Sequence, residues 1–195
     1  MNYTEPKTEF PLDDIQNHQI STKVVLVDGH EPEVSLYFLK EAKKHGIPTL
    51  LDAGSVHRRT QLLLPEVNHL ICSEKFAQDF TGESNAQLAL DKLYHHNRSV
   101  IITCGEDGLI WKNELGNGEL PAFSINAVDT TGAGDAFHGA FAACLVRQKT
   151  WEYSLKFSRA AAALCCTHLG GRSGLPTQEQ VLAFLQNFPQ NAEFD

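Results

Sequence analysis

Short apolar runs that alternate with segments of helical spacing predict an α/β fold, a mainly parallel sheet covered by helices on both faces. Two observations carry the prediction. Runs such as KVVLVDG (23–29) and SVIITCG (99–105) are too continuously apolar for a sheet with one wet face. The segments between several of them place apolar residues three and four apart, as helices packed on a sheet do.

Residues 1–20 are polar and dotted with proline, and are expected to form a terminal strand or loop. KVVLVDG is the first strand of a single domain spanning 21–195. PEVSLYFLKEAKKH (32–45) follows as a helix, with Pro32 suited to a first turn and Gly46 to a C-terminal cap. IPTLLDAG (47–54), HLICS (69–73) and SVIITCG are the next strands, with a helix over 84–96. LIWKN (109–113) is a further strand, and LGNGE reads as a glycine-rich turn. Helices are expected over about 133–147 and 151–167, then a loop, GGRSGLP (170–176). A last helix, TQEQVLAFLQNF, is headed by Thr177 and Gln180, spaced as a capping box. Ligands of such sheets bind beyond the carboxyl ends of the strands, where Asp28, Asp52, Ser73, Thr103 and Gly105 lie.

Bulk properties exclude several classes. With 195 residues, 42% hydrophobic and 21% charged, the chain suits one soluble domain. A net charge of −8 argues against general nucleic-acid binding. No apolar run approaches a membrane span, and MNYTEPKTEF is not a secretory signal. The five cysteines form no C-x-x-C pair and sit in apolar surroundings, as small buried side chains in a reducing cytoplasm do. The adjacent His95 and His96 would point to different faces of one helix, which suits a solvated helix end better than a metal site.

The chemistry concentrates in AVDTTGAGDAFHGAF (127–141). Thr130, Thr131, Gly132, Ala133 and Gly134 form a small, flexible run whose amides can be approached closely, directly ahead of a helix. Unpaired amides at a helix N-terminus attract anions. The run is not a P-loop, since no lysine follows the glycines. It is not a dinucleotide fingerprint either: Phe137 stands where the third glycine belongs, and the motif comes late in the chain. An NAD-linked oxidoreductase is therefore disfavoured. Asp135 either stabilises the helix start or accepts a proton beside a bound anion.

D-T-T-G-A-G-D resembles the signature of the ribokinase-like carbohydrate kinases, and the likeness extends to TCGEDG (103–108) and AAALCCTHLGGRSGLP (161–176). The wording is nearest the sulfofructose kinase and ketohexokinase branches. The resemblance implies a three-layer α/β/α fold and ATP-dependent phosphorylation of a sugar hydroxyl. It makes Asp135 the base and the Gly132, Ala133 and Gly134 backbone the anion hole. Thr103, Gly105, Gly108, Ser158 and Ala162 fall on the nucleotide side. Asp129 and Thr131, with Cys165, His168, Gly170 and Gly174, fall where a monovalent cation such as K⁺ is held, Gly174 replacing a serine. The alternative for Asp129 is a turn cap; for Thr103, Gly105 and Gly108 it is a tight turn; for Ala162 it is packing.

Two departures stand out. The N-x-x-E stretch associated with Mg²⁺ is Ser73-Glu74-Lys75-Phe76 here, leaving Glu74 to act through water or to sit solvated in a first helical turn. The strands, lid and Gly-Gly-Asn segment that precede the matching region in the family have no counterpart before KVVLVDG. The resemblance thus points to the C-terminal portion of a sugar kinase, or to a non-catalytic nucleotide-binding remnant or partner subunit. Loss of a strand from such a sheet leads one to expect self-association along an open edge.

Overall fold

The computed structural model describes residues 21–56, 60–94 and 99–188. The segment before residue 21 and the pair His95-His96 lie outside the described residues. Six strands form one sheet in chain order: β1 (Val25–Val27), β2 (Thr49–Ala53), β3 (His69–Ser73), β4 (Ser99–Thr103), β5 (Leu109–Asn113) and β6 (Gly116–Leu120). The first four are parallel, and β5 and β6 add on antiparallel. The helices are α1 (Pro32–Lys44), α2 (Thr60–Leu63), α3 (Glu74–Thr81), α4 (Ala86–Tyr94), α5 (Ala133–Val146), α6 (Trp151–Cys166) and α7 (Gln178–Gln186).

Strand alternation assigns the two faces. Leu51, Ala53, Leu70, Cys72, Val100 and Ile102 point to one side and pack on α1, α3 and α4 through Leu39, Phe76 and Leu90. Leu50, Ile71 and Ile101 point to the other and meet Phe137 and Phe141 of α5 and Leu155 of α6. The three layers expected from the sequence are therefore present. Each central strand residue is buried on its own face, which explains why the runs read as continuously apolar. A third cluster, with Phe123, Phe157, Ala160 and Val181, binds α7 to α6. The small residues of α6 allow α5 and α6 to pack along their length.

Three elements differ from the sequence reading. The run 116–120 is not a turn but β6, since Asn113 pairs directly with Gly116. The reversal takes only Glu114 and Leu115, and Asn113 Oδ1 accepts from the amides of Leu115 and Gly116. Glycine within this strand has a packing reason: a Cβ at Gly118 would press on the Trp111 ring at 3.1 Å. The sequence reading gave no range for α2 or α3, although Ser73 caps α3 by accepting from the Phe76 amide at 3.0 Å. The capping box at Thr177 and Gln180 is formed as expected. None of the described helices is long and apolar enough to cross a membrane.

Candidate active site

The carboxyl ends of β1 to β4 and the start of α5 face the same crevice. Its centre is the turn Asp129–Gly134. Gly132, with φ of 80°, is the N-cap of α5 in a left-handed conformation that favours glycine. A Cβ there would lie 2.7 Å from the Cα of Gly171, so the turn and the loop 168–174 touch backbone to backbone. Gly134 is the opposite case: a Cβ on it would meet nothing within 4 Å. The space beside Gly134 is open.

The amides divide accordingly. Ala133 donates to the Thr130 carbonyl at 3.2 Å and Ala136 to Gly132 at 2.8 Å. The N–H groups of Gly132, Gly134 and Asp135 have no partner among the described residues. The Ala133 amide is thus used within the turn, and the Asp135 amide, which sequence reasoning did not single out, takes its place among the open donors. These unpaired donors and the dipole of a 14-residue helix favour an anion.

The two carboxylates of the turn have different surroundings. Asp129 accepts from the Thr131 amide at 2.9 Å through Oδ1 and from the Gly170 amide at 2.8 Å through Oδ2. Hydrogen bonds from Thr131, then from Gly170, hold its carboxyl below the usual range. Asp129 therefore clasps the turn to the loop at the end of α6. Asp135 is exposed, and its carboxylate has no hydrogen bond among the described residues.

The other predicted residues fall around this centre. Thr131, Cys165, Gly170 and Gly174 belong to the clasp, whereas the His168 ring meets Thr167 and the Leu164 carbonyl at the end of α6. Cys165 is buried, with its thiol directed at the carbonyls of Thr131 and Gly171. Gly170 has φ of 85° and accepts from the Gly174 amide at 2.9 Å. A Cβ at Gly174 would lie 2.6 Å from the Cys165 carbonyl, so this packing has no room for the family's serine. The Thr131 and Gly171 carbonyls both face the Cys165 thiol, and the two Asp129 oxygens are taken by backbone amides. Among the described residues no three His, Cys, Asp or Glu side chains cluster as a metal site would need.

Thr103 closes β4, its hydroxyl donating to the Cys72 carbonyl at 3.3 Å. Gly105 opens the single 3-10 turn that leads into β5, and Gly108 closes it. Gly108 is required by contact: a Cβ would fall 2.1 Å from the Leu120 carbonyl. Ser158 is wholly buried, so a ligand could touch it only by displacing its neighbours, whereas Ala162 is half-buried beside the second cluster. Glu74, in the first turn of α3, accepts from Gln78 Nε2 at 3.3 Å. It stands near enough to Cys104 to help burial push that thiol up to about 11.

Sequence reasoning missed one pair. His138, buried on α5, sets Nε2 3.4 Å from Asp52 Oδ1 at the tip of β2. Burial raises the Asp52 carboxyl above its usual range; His138 opposes the shift and Asp135 and Asp28 reinforce it. Asp52, Asp135 and Asp28 thus share the crevice. Asp28 itself pairs with His30 at 3.1 Å.

A glycine turn with open amides at a helix start, beside an exposed carboxylate and at the carboxyl ends of parallel strands, is the kind of place where ligands of α/β domains bind. Residues 2–178 match the pfkB family carbohydrate kinases, and the chain belongs to that family. Among curated proteins it is 28% identical over 152 residues to the ribokinase of Haemophilus influenzae, covering 75% of this chain and 50% of that one. It is 31% identical to the ribokinase of Bacillus subtilis, covering 81% and 53%. Of solved structures, a putative ribokinase from Agrobacterium tumefaciens superposes with a TM-score of 0.83 at 31% identity, over 95% of this chain and 61% of that one. Arabidopsis thaliana ribokinase complexed with ribose and ATP gives 0.77 at 28% identity, over 85% and 56%. The chain spans about half the length of the curated relatives it matches.

Proposed function

We propose that this chain carries the phosphate- and nucleotide-binding half of an ATP-dependent sugar kinase, with Asp135 as its general base. The observation that carries the reading is the pairing of open amides at Gly132, Gly134 and Asp135 with a carboxylate that caps nothing. In the reaction, Asp135 accepts the proton of the sugar hydroxyl as its oxygen attacks the γ-phosphorus. The bond from that phosphorus to the bridging oxygen breaks, and ADP leaves. The turn's amides take up charge on the transferring group. Mg²⁺ would screen the phosphate oxygens, and Glu74 would hold it through water. A monovalent cation beside Asp129 would fix the loop 168–174. The nucleotide lies along Thr103, Gly105 and Gly108, with Ala162 on the base side. Ribose, named for one relative, is a reasonable first acceptor to test.

A second part of the proposal concerns β1. Leu26, on the α5 face, is 41% exposed, and among the described residues β1 pairs only with β2. Such an edge invites self-association or a further segment. Light scattering tests it, and a monodisperse monomer counts against it.

Calorimetric titration with Mg-ATP tests the main reading: saturable binding by the folded chain is expected. No heat and no thermal shift at millimolar nucleotide would sink it. Binding without ADP release on any of a panel of ketoses and aldoses would favour a non-catalytic nucleotide-binding subunit.

A further inference from the structure

We propose that His138 is a positioning residue that carries a proton on each ring nitrogen and, held by Asp52, fixes the peptide unit on which Asp135 stands. The inference rests on the kinase reading for its purpose, but not for its chemistry.

His138 is 6% exposed and makes contacts on both sides of its ring. Nδ1 lies 2.6 Å from the Gly134 carbonyl. Nε2 lies 3.3 Å from the Ile71 carbonyl of β3 and 3.4 Å from Asp52 Oδ1 of β2. All three partners are oxygens, and two are carbonyls that can only accept. Nδ1 therefore donates. A bare Nε2 would turn its lone pair on the Ile71 carbonyl, inside a buried site where an unpaired polar atom is costly. The arrangement is satisfied when Nε2 also carries a proton and Asp52 is the counter-ion. Asp52 is the charged group at the ring, and Asp135, Asp28 and His30 in turn act on Asp52.

The anchored atom is the important one. The Gly134 carbonyl belongs to the peptide unit whose N–H is that of Asp135, one of the open donors of the turn. Holding the carbonyl from β2 and β3 aims that N–H outward and sets the start of the Asp135 side chain. First helical turns fray readily, and this contact ties one down at its functional end.

Ring-nitrogen NMR of the whole chain labelled with ¹⁵N-histidine tests the proton directly, with His138→Gln assigning the signal. At neutral pH both His138 nitrogens are expected in the protonated range. In Asp52→Asn the ring should become a neutral single tautomer. In parallel, Asp52→Asn and His138→Leu should each weaken Mg-ATP binding by roughly tenfold, the double variant being no worse than either, as for residues acting as one unit. His138→Gln, which keeps a donor, should recover part of the loss. A neutral His138 ring in the unaltered chain overturns the proposal, as do variants that bind Mg-ATP normally. An unaltered chain that binds no Mg-ATP counts against the kinase reading alone, and the ring spectrum then decides the proposal by itself. The same spectrum decides it if Asp52→Asn fails to fold.

Discussion

Asp129 and Asp135 sit on either side of one glycine turn, yet their surroundings are opposite. Asp129 spends both oxygens on backbone amides, one within the turn and one from Gly170 in a distant loop. Asp135 spends none among the described residues. A carboxylate that satisfies amides builds structure. One left exposed beside unpaired amides, at the positive end of a helix, is available to a substrate proton. On the proposed reading, one short motif both folds the site and equips it.

The sharpest way to break the contrast is Asp135→Asn. Asparagine keeps the size and cannot accept a proton, so in a form of the protein that also carries the sugar-binding half, sugar-dependent ADP release should fall by about 10²–10⁴-fold. Mg-ATP affinity, measured by calorimetry, should change little. Unfolding should shift only slightly, because the carboxylate bonds nothing here. Near-normal turnover would return Asp135 to the role of a helix-stabilising charge.

The glycines sharpen it next. Gly132→Ala places a methyl 2.7 Å from Gly171 and forces an alanine to φ of 80°. We expect a loss of about 2 kcal/mol or more in denaturant unfolding. Gly134→Ala meets nothing within 4 Å, so the fold should hold or gain slightly from the better helix former. Its methyl enters the space over the open amides, and Mg-ATP binding should weaken. Equal loss of stability in the two variants would show that both glycines serve packing alone.

Much of this was legible in the sequence, and the parts that were not share a cause. The layers, all the strands but β6, and the turn 129–134 with Asp135 are encoded locally, in continuous apolar runs or in adjacent residues. GNGE looked like a turn because glycine and asparagine favour turns. It pairs along β5 as a strand, where the glycine at 118 leaves room for the Trp111 ring across the ladder. The clasp from Asp129 to Gly170 and the pair of Asp52 with His138 join residues distant in sequence, and no spacing rule reaches that far. Ser158, placed on the nucleotide side by resemblance, is fully buried, a packing that its place in the sequence does not reveal.

The smallest effects belong to the clasp. Asp129→Asn retains one carbonyl oxygen but points an NH₂ at a backbone donor, so one of the two bonds must break. Cleavage within 168–174 by limited proteolysis should become several-fold faster while global unfolding barely moves. The unaltered chain should show the same loosening with acid. Because hydrogen bonding lowers the Asp129 carboxyl, the folded form binds this proton less readily than the unfolded form. The clasp is therefore fully present above the ordinary carboxylate value of about 4 and is lost only as pH falls through its own lower value. Exchange of the Gly170 amide, corrected for intrinsic rate, should stay slow from neutral pH down to that range and then rise. Asp129→Asn should show the faster exchange at every pH. If the unaltered chain loosens instead near neutral pH, a group other than Asp129 holds the loop, and the division of labour between the two carboxylates fails.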